Sequence, residues 1–280
     1  FDAPGTTVSV GLGERDVRMG SFRHAGTLND RVGYKITGQY QQGSDWSYTD
    51  PAEPDSIIKG TATPSGRVNQ GGKIPNQRNL DVEKFSGEGR LDIRLDNGLK
   101  ATLSGGFCQI SNIELAPSSA FQIENWSEGF VQGRLSYKDL FAQMFFNWND
   151  SGESYNLRTG DFWVDKSTQL VTQIQHGFTL LQDRQRFTYG AEILLTRLDS
   201  DKTIFGRNEA KSDINEVGVY VQSETELSSR LKWVMAARFD DQNFLPDPVF
   251  SPRAALVFNP NPLHKFRITY NQAFQTPTPP

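Results

Sequence analysis

Along almost the whole chain apolar and polar residues alternate with a period of two, and few folds tolerate that pattern over so many segments. Leu99, Ala101, Leu103, Gly105 and Phe107 alternate with Lys100, Thr102, Ser104 and Gly106. Leu140, Ala142, Met144, Phe146 and Trp148 form a similar row, with Phe141 and Phe145 breaking the polar side. Phe187, Tyr189, Ala191, Ile193 and Leu195 alternate with Arg186, Thr188, Gly190, Glu192 and Thr196. Val217, Val219 and Val221 face away from Gly218, Tyr220, Gln222 and Glu224, and Leu231, Trp233, Met235, Ala237 and Phe239 oppose Lys232, Arg238 and Asp240. Successive strand side chains point to opposite faces, so each run is a strand with one greasy and one wet side. Helical periodicity is hard to find.

The connections alternate too. Turn-forming residues at hairpin lengths stand at Asn29-Asp30, Asp96-Asn97-Gly98, Tyr137-Lys138-Asp139, Gln182-Asp183-Arg184, Ser228-Ser229 and Asn259-Pro-Asn-Pro262. Longer polar stretches lie between them, near 43–83, 111–124, 150–167, 199–213 and 241–250. The pattern predicts roughly thirteen strands, many of about nine to eleven residues, the length at which a tilted strand crosses a bilayer. In a transmembrane barrel the short turns lie on the periplasmic side and the long loops outside. A soluble sandwich seldom sorts its loops by length. Aromatic residues near strand ends, including Trp126, Tyr137, Trp148, Tyr189, Trp233 and Tyr270, suggest interfacial girdles. Period two alone leaves a soluble β protein open; loop asymmetry and strand length together favour an all-β, antiparallel transmembrane β-barrel.

Composition removes the other classes. With 36% hydrophobic residues and a longest apolar run of Ala254-Ala255-Leu256-Val257-Phe258, no helix of the required about 20 apolar residues exists. Aromatics at 11% argue against disorder. A net charge of -4 gives no electrostatic case for nucleic acid. The one cysteine, Cys108, excludes an internal disulfide framework, and the scattered His24, His176 and His264 suit no metal. Neither a Gly-x-Ser-x-Gly elbow nor a P-loop is present, and Gly11-Leu-Gly13 lacks a following helix. Glu224 and Glu226 share a strand face as a glycosidase pair would, but no pocket-forming insertions surround them. No enzyme, catalytic residue, metal or cofactor is expected.

Three segments carry a resemblance. Gly20-Ser-Phe-Arg-His-Ala-Gly26 followed by Asn29-Asp-Arg-Val-Gly-Tyr-Lys-Ile-Thr-Gly-Gln-Tyr40 is similar to the first barrel hairpin of TonB-dependent receptors. Tyr189-Gly-Ala-Glu192, Gly206-Arg-Asn208 and Glu216-Val-Gly-Val-Tyr-Val-Gln-Ser-Glu224 resemble a mid-barrel hairpin of that family. The most specific match runs from Phe250-Ser-Pro-Arg-Ala-Ala255 through Phe266-Arg-Ile-Thr-Tyr-Asn-Gln-Ala-Phe274 to Pro277-Thr278. The resemblance implies an energised outer-membrane transporter of a Gram-negative bacterium, importing a ferric siderophore, cobalamin or an oligosaccharide. It implies partners as well: a plug domain of the full-length chain, the TonB-ExbB-ExbD complex, and outer-membrane lipid. Family barrels have about 22 strands, so residues 1–280 are expected to be part of one barrel domain, without the N-terminal plug and the last strands. An open sheet of that kind leaves unpaired edges that lipid does not tolerate, so the isolated chain is expected not to insert stably. A passive porin-like channel and a soluble extracellular carbohydrate-binding β protein remain the alternatives.

Such a transporter needs a wide lumen and outer loops that capture solute. The wet strand faces supply the lumen candidates Arg134, Glu192, Glu224 and Arg238, among other charges such as Arg90, Asp92 and Arg267. Opposite charges on neighbouring strands would brace the wall, as Arg238 and Asp240 near Arg253 exemplify. In the outer loops Trp46, Tyr48, Arg158 and Trp163 are the candidate ligand contacts, beside the carboxylates Asp45, Asp50, Glu53 and Asp55. Aromatics with carboxylates can stack sugars or hold a cationic chelate; such residues also commonly pack one loop against the next. The carboxylate spacing lacks the pattern of a calcium loop.

Overall fold

A computed structural model of the chain describes residues 3–63, 66–117 and 119–275; Pro277 and Thr278 lie outside them. Sixteen strands follow one another: β1 (Gly5–Leu12), β2 (Arg18–Asn29), β3 (Val32–Ser44), β4 (Ser56–Thr63), β5 (Gly66–Pro75), β6 (Asp81–Arg94), β7 (Lys100–Leu115) and β8 (Ala120–Tyr137) form the first half. The second half comprises β9 (Leu140–Asp150), β10 (Tyr155–Asn156), β11 (Thr168–Leu180), β12 (Gln185–Arg197), β13 (Ile214–Ser228), β14 (Leu231–Gln242), β15 (Val249–Asn261) and β16 (His264–Asn271). Among the described residues one short 3-10 turn, Gly206–Lys211, interrupts the β structure.

The large sheet is an antiparallel meander from β1 to β16, with every neighbour in chain order once β4, β5 and β10 are set aside. β4 and β5 form a separate hairpin, and the two-residue β10 pairs with β8. The sheet is a partial, open barrel wall: neither β1 nor β16 has a second neighbour among the described residues. At one end the strands are joined by minimal turns at 30–31, 138–139, 229–230 and 262–263, with 95–99 and 181–184 little longer. The other end carries the long connections 45–55, 151–167 and 198–213, and the β4–β5 hairpin.

Register sorts the two faces. Ile174, Ala191, Val219, Phe239 and Phe250 are successive cross-strand partners from β11 to β15. These apolar residues are not covered: Val217, Val219 and Val221 are 47%, 48% and 45% exposed, and Ile174, Phe239 and Phe250 are similarly open. An uncovered apolar surface this wide is foreign to a soluble monomer. The opposite face carries an unbroken polar row, Asp92, Thr102, Arg134, Gln143, Gln173, Glu192, Gly218 and Asp240, each the partner of the next.

The stretch 111–124, expected as a loop, is mostly strand: β7 runs to Leu115 and β8 starts at Ala120. Its buried polar residues bond to neighbouring loops. The buried Gln122 amide receives the Asn79 backbone N–H at 2.9 Å and donates to the Asn79 and Asn112 carbonyls at 3.3 and 3.2 Å. A bulge sits opposite Ser111, where Asn125 takes a left-handed φ of 59° and donates its backbone N–H to Ser111 Oγ at 3.0 Å. The extra residue bends the hairpin and presents the Glu124 carbonyl to the Glu153 N–H at 3.0 Å.

Candidate functional site

Three connections converge on a small apolar core at the long-loop end. Ile57 from β4, Ala120 from β8, Tyr155 from β10 and Leu157 from the following loop are buried together, with Ile74, Ile113 and Phe162 against them. Backbone bonds tie the β4–β5 hairpin to loop 151–167, from Gly60 N–H to the Gly160 carbonyl at 3.1 Å and from Phe162 N–H to the Gly60 carbonyl at 3.0 Å. Gly160 is obligatory there: its φ is +75°, and a Cβ would sit 2.5 Å from the Ile58 carbonyl oxygen. Charges rim this core. Lys59 lies 3.9 Å from the Tyr155 ring and 3.5 Å from Glu124. Arg78 grips Glu53 through two bonds of 3.0 and 2.6 Å, and Arg158 holds Asp50 at 2.8 Å.

These contacts set the titration of the rim. The Ala52 backbone N–H, then the Arg158 guanidinium, hold the Asp50 carboxyl below the usual range. Hydrogen bonding to Glu53 raises Arg78 further. Burial, with Glu124 nearby, pushes the Tyr155 phenol up to about 12.

The four loop residues singled out in the sequence occupy different settings. Trp46 and Tyr48 are 74% and 64% exposed, and each carries an arginine: Arg15 lies 4.5 Å from the Trp46 ring and Arg78 5.2 Å from Tyr48. Exposed rings with cations over them present one remaining face to solvent. Arg158 is brought to loop 45–55 through Asp50. Trp163 belongs to a separate aromatic group, 4.7 Å from Phe121 and 5.5 Å from Trp126. Gln122, which fastens this cluster of loops, the platform, to the wall, carries no sequence signal beyond being a polar residue in a polar stretch.

On the polar face the charged residues brace neighbouring strands. Arg134 Nε donates to Gln143 at 3.1 Å, and Glu224 pairs with Lys232. Arg238 bonds Asp240 at 2.7 Å and reaches Glu192 at 3.5 Å, two strands away. It crosses β13 over Gly218, where a Cβ would fall 2.6 Å from Asp240 Oδ1. Arg253, expected near this pair, stands outside the bridge. On the other face His24 bonds Thr6 and Tyr34 through its two ring nitrogens, at 2.8 Å each.

A family model described as TonB dependent receptor-like, beta-barrel, matches residues 20–279. The fold is similar to solved structures at low identity. The ferric enterobactin receptor PfeA from Pseudomonas aeruginosa aligns with a TM-score of 0.62 at 14% identity, over 98% of this chain and 44% of that one. The alcaligin outer membrane receptor FauA from Bordetella pertussis gives 0.57 at 13% identity, over 96% and 44%. The siderophore receptor PirA from Acinetobacter baumannii gives 0.55 at 15%, over 92% and 40%. The chain thus spans less than half the length of these proteins. No curated protein sequence matches it.

Proposed function

Because this chain belongs to the TonB-dependent receptor-like β-barrel family, we propose that it forms part of the wall and outer vestibule of an energised outer-membrane importer in a Gram-negative bacterium. The observation that carries the reading is the division of one sheet into an open apolar face and an unbroken polar row. Lipid satisfies the first and a water-filled bore the second. The braced polar face, with Arg134, Glu192, Glu224 and Arg238, lines the bore. Residues 1–280 are one portion of the barrel domain, which a plug and the TonB-ExbB-ExbD complex complete functionally. No catalytic step, metal or cofactor is assigned to it.

The platform of outer loops is the capture surface. Trp46 and Tyr48 offer exposed ring faces for stacking, while Arg158 and Trp163 hold the neighbouring loop in position beside them. The solute is a large one; the solved relatives include receptors for ferric enterobactin and alcaligin, which supports a ferric siderophore over cobalamin or an oligosaccharide.

The test is a clean deletion of the full gene, followed by growth under iron limitation on a panel of ferric siderophores and, separately, with cobalamin or oligosaccharides. Loss of growth on one solute, restored by the gene only in cells with an intact TonB complex, is the expected result. Ohmic conductance of the purified protein in planar bilayers, with TonB-independent uptake, would instead establish a passive channel.

A further inference from the structure

The apolar face of the wall is not uniform. Between β3 and β8 it is hollowed into a groove of about 550 Å³, walled chiefly by Leu28, Ile36, Leu91, Leu103 and Val131 above a floor at Gly89. Register places Ile36, Gly89, Gly105 and Val131 in one cross-strand row, so two glycines stand between two branched side chains. In the next row toward the turns Tyr34 is drawn aside: its ring lies over Gly26 and its hydroxyl meets His24 at 2.8 Å. Gly89 has no left-handed φ, and a Cβ there would meet nothing within 4 Å. Neither backbone conformation nor packing within the chain calls for glycine at that position. A glycine inside a strand gives up packing and often marks the close approach of a ligand.

The groove lies on the face opposite the charged braces, and β3, β6, β7 and β8 each have both neighbours in place. A plug in the bore, or further strands at the edges of the sheet, would leave it open. Height and charge indicate what fills it. Leu28, Leu91 and Leu103 stand no more than four residues from the short turns, about 13 Å along a strand. That is the periplasmic half of a hydrocarbon core about 30 Å thick. The short-turn end is also basic. Across 29–32, 94–100, 137–140, 181–186, 226–232 and 261–265, nine lysines and arginines stand against five carboxylates, although the whole chain carries a net charge of -4. Lys100 and Lys138 are exposed there without an ion pair among the described residues, Lys138 beside the Tyr137 ring. We propose that the groove seats one acyl chain of an anionic phospholipid of the inner leaflet, with its phosphate among these cations. The inference rests on the reading of the apolar face as lipid-facing, and it adds one selected lipid and its seat.

The experiment reconstitutes the full-length protein in nanodiscs holding phosphatidylglycerol or phosphatidylethanolamine with a diazirine on one acyl chain, and maps the crosslinked residues by mass spectrometry. Crosslinks are expected on Ile36 and Leu103 at several-fold the level of the comparably exposed Val219 and Phe239. Gly89→Leu, which fills the floor, is expected to remove that excess. Gly20→Leu, on the same face and equally free of neighbours around its Cβ, is expected to preserve it. Phosphatidylglycerol is expected to exceed phosphatidylethanolamine by a factor on the order of five for each cation engaged. Lys100→Gln with Lys138→Gln is expected to lower that ratio, as is high salt. Even labelling over the outer face, labelling that Gly89→Leu leaves unchanged, or equal labelling by the two lipids overturns the proposal. A groove that neither lipid labels, because another protein chain covers it, overturns it equally. If the groove labels as expected while gene deletion alters no uptake, the transport reading fails and the lipid seat stands. If uptake is lost with the gene and labelling is even, the seat alone fails.

Discussion

Gly218 illustrates how one missing side chain sets the electrostatics of three strands. With valine there, the new Cβ would meet Asp240 Oδ1 at 2.6 Å and the Arg238 guanidinium carbon at 2.9 Å. Asp240 is only 2% exposed and has little freedom to move, so the clash falls on the Arg238–Glu192 link. Gly218→Val is expected to cost about 1–3 kcal/mol, read as a lower temperature for loss of the heat-modifiable folded band on gels. Tyr155 gives a prediction of opposite chemistry. Its phenol ionises near 12 in the folded platform against 10.0 when free. The stability it contributes is therefore complete below pH 10 and disappears as pH rises through the folded value. Hydrogen exchange in loop 151–167 is expected to accelerate between those limits, and Tyr155→Phe is expected to abolish that step. That Arg134, Glu192, Glu224 and Arg238 share the polar face of the sheet was readable from alternation alone. The partner of each was not, because a side chain that crosses a whole strand depends on a glycine contributed by another segment.

At the level of elements, the strands were legible and the platform was not. Period two and the turn residues located nearly every hairpin, since both are local signals. The β7–β8 extension was hidden because its buried groups, Gln122 and Ser119, are polar and find their partners in distant loops. The β4–β5 hairpin was hidden for the same reason: it packs on Tyr155 and Leu157, about a hundred residues away in sequence, and no periodicity encodes that. Leu157 is fully buried at the centre of this contact. Leu157→Ala is expected to destabilise the platform by about 2–5 kcal/mol and to raise hydrogen exchange across β4 and β5, with the exchange of β11 to β14 unchanged. The solvent-accessible Arg158–Asp50 pair, by contrast, is expected to contribute little in a double-mutant cycle.

For the whole molecule, the deciding quantity is the free energy of the apolar face, which depends on its solvent. Val219 and Tyr220 are chain neighbours on opposite faces of β13. In the full-length protein Val219→Arg is expected to cost folding into vesicles about 2–4 kcal/mol if the residue lies at the bilayer midplane and less toward either interface. Gln222→Arg, on the polar side, is expected to fold as the parent does; equal losses for both would mean that the two faces do not meet different media. The sheet's division was visible in the sequence because alternation is a property of every strand separately. The outer platform differs, since it draws on residues 45–80, the tip of the β7–β8 hairpin and loop 151–167 at once. Those three segments can join only after their hairpins have all delivered them to the same end of the sheet. Assembly of this loop cluster therefore reports on all three hairpins at once, and an antibody raised against the assembled cap is expected to bind only chains in which every one of them has formed.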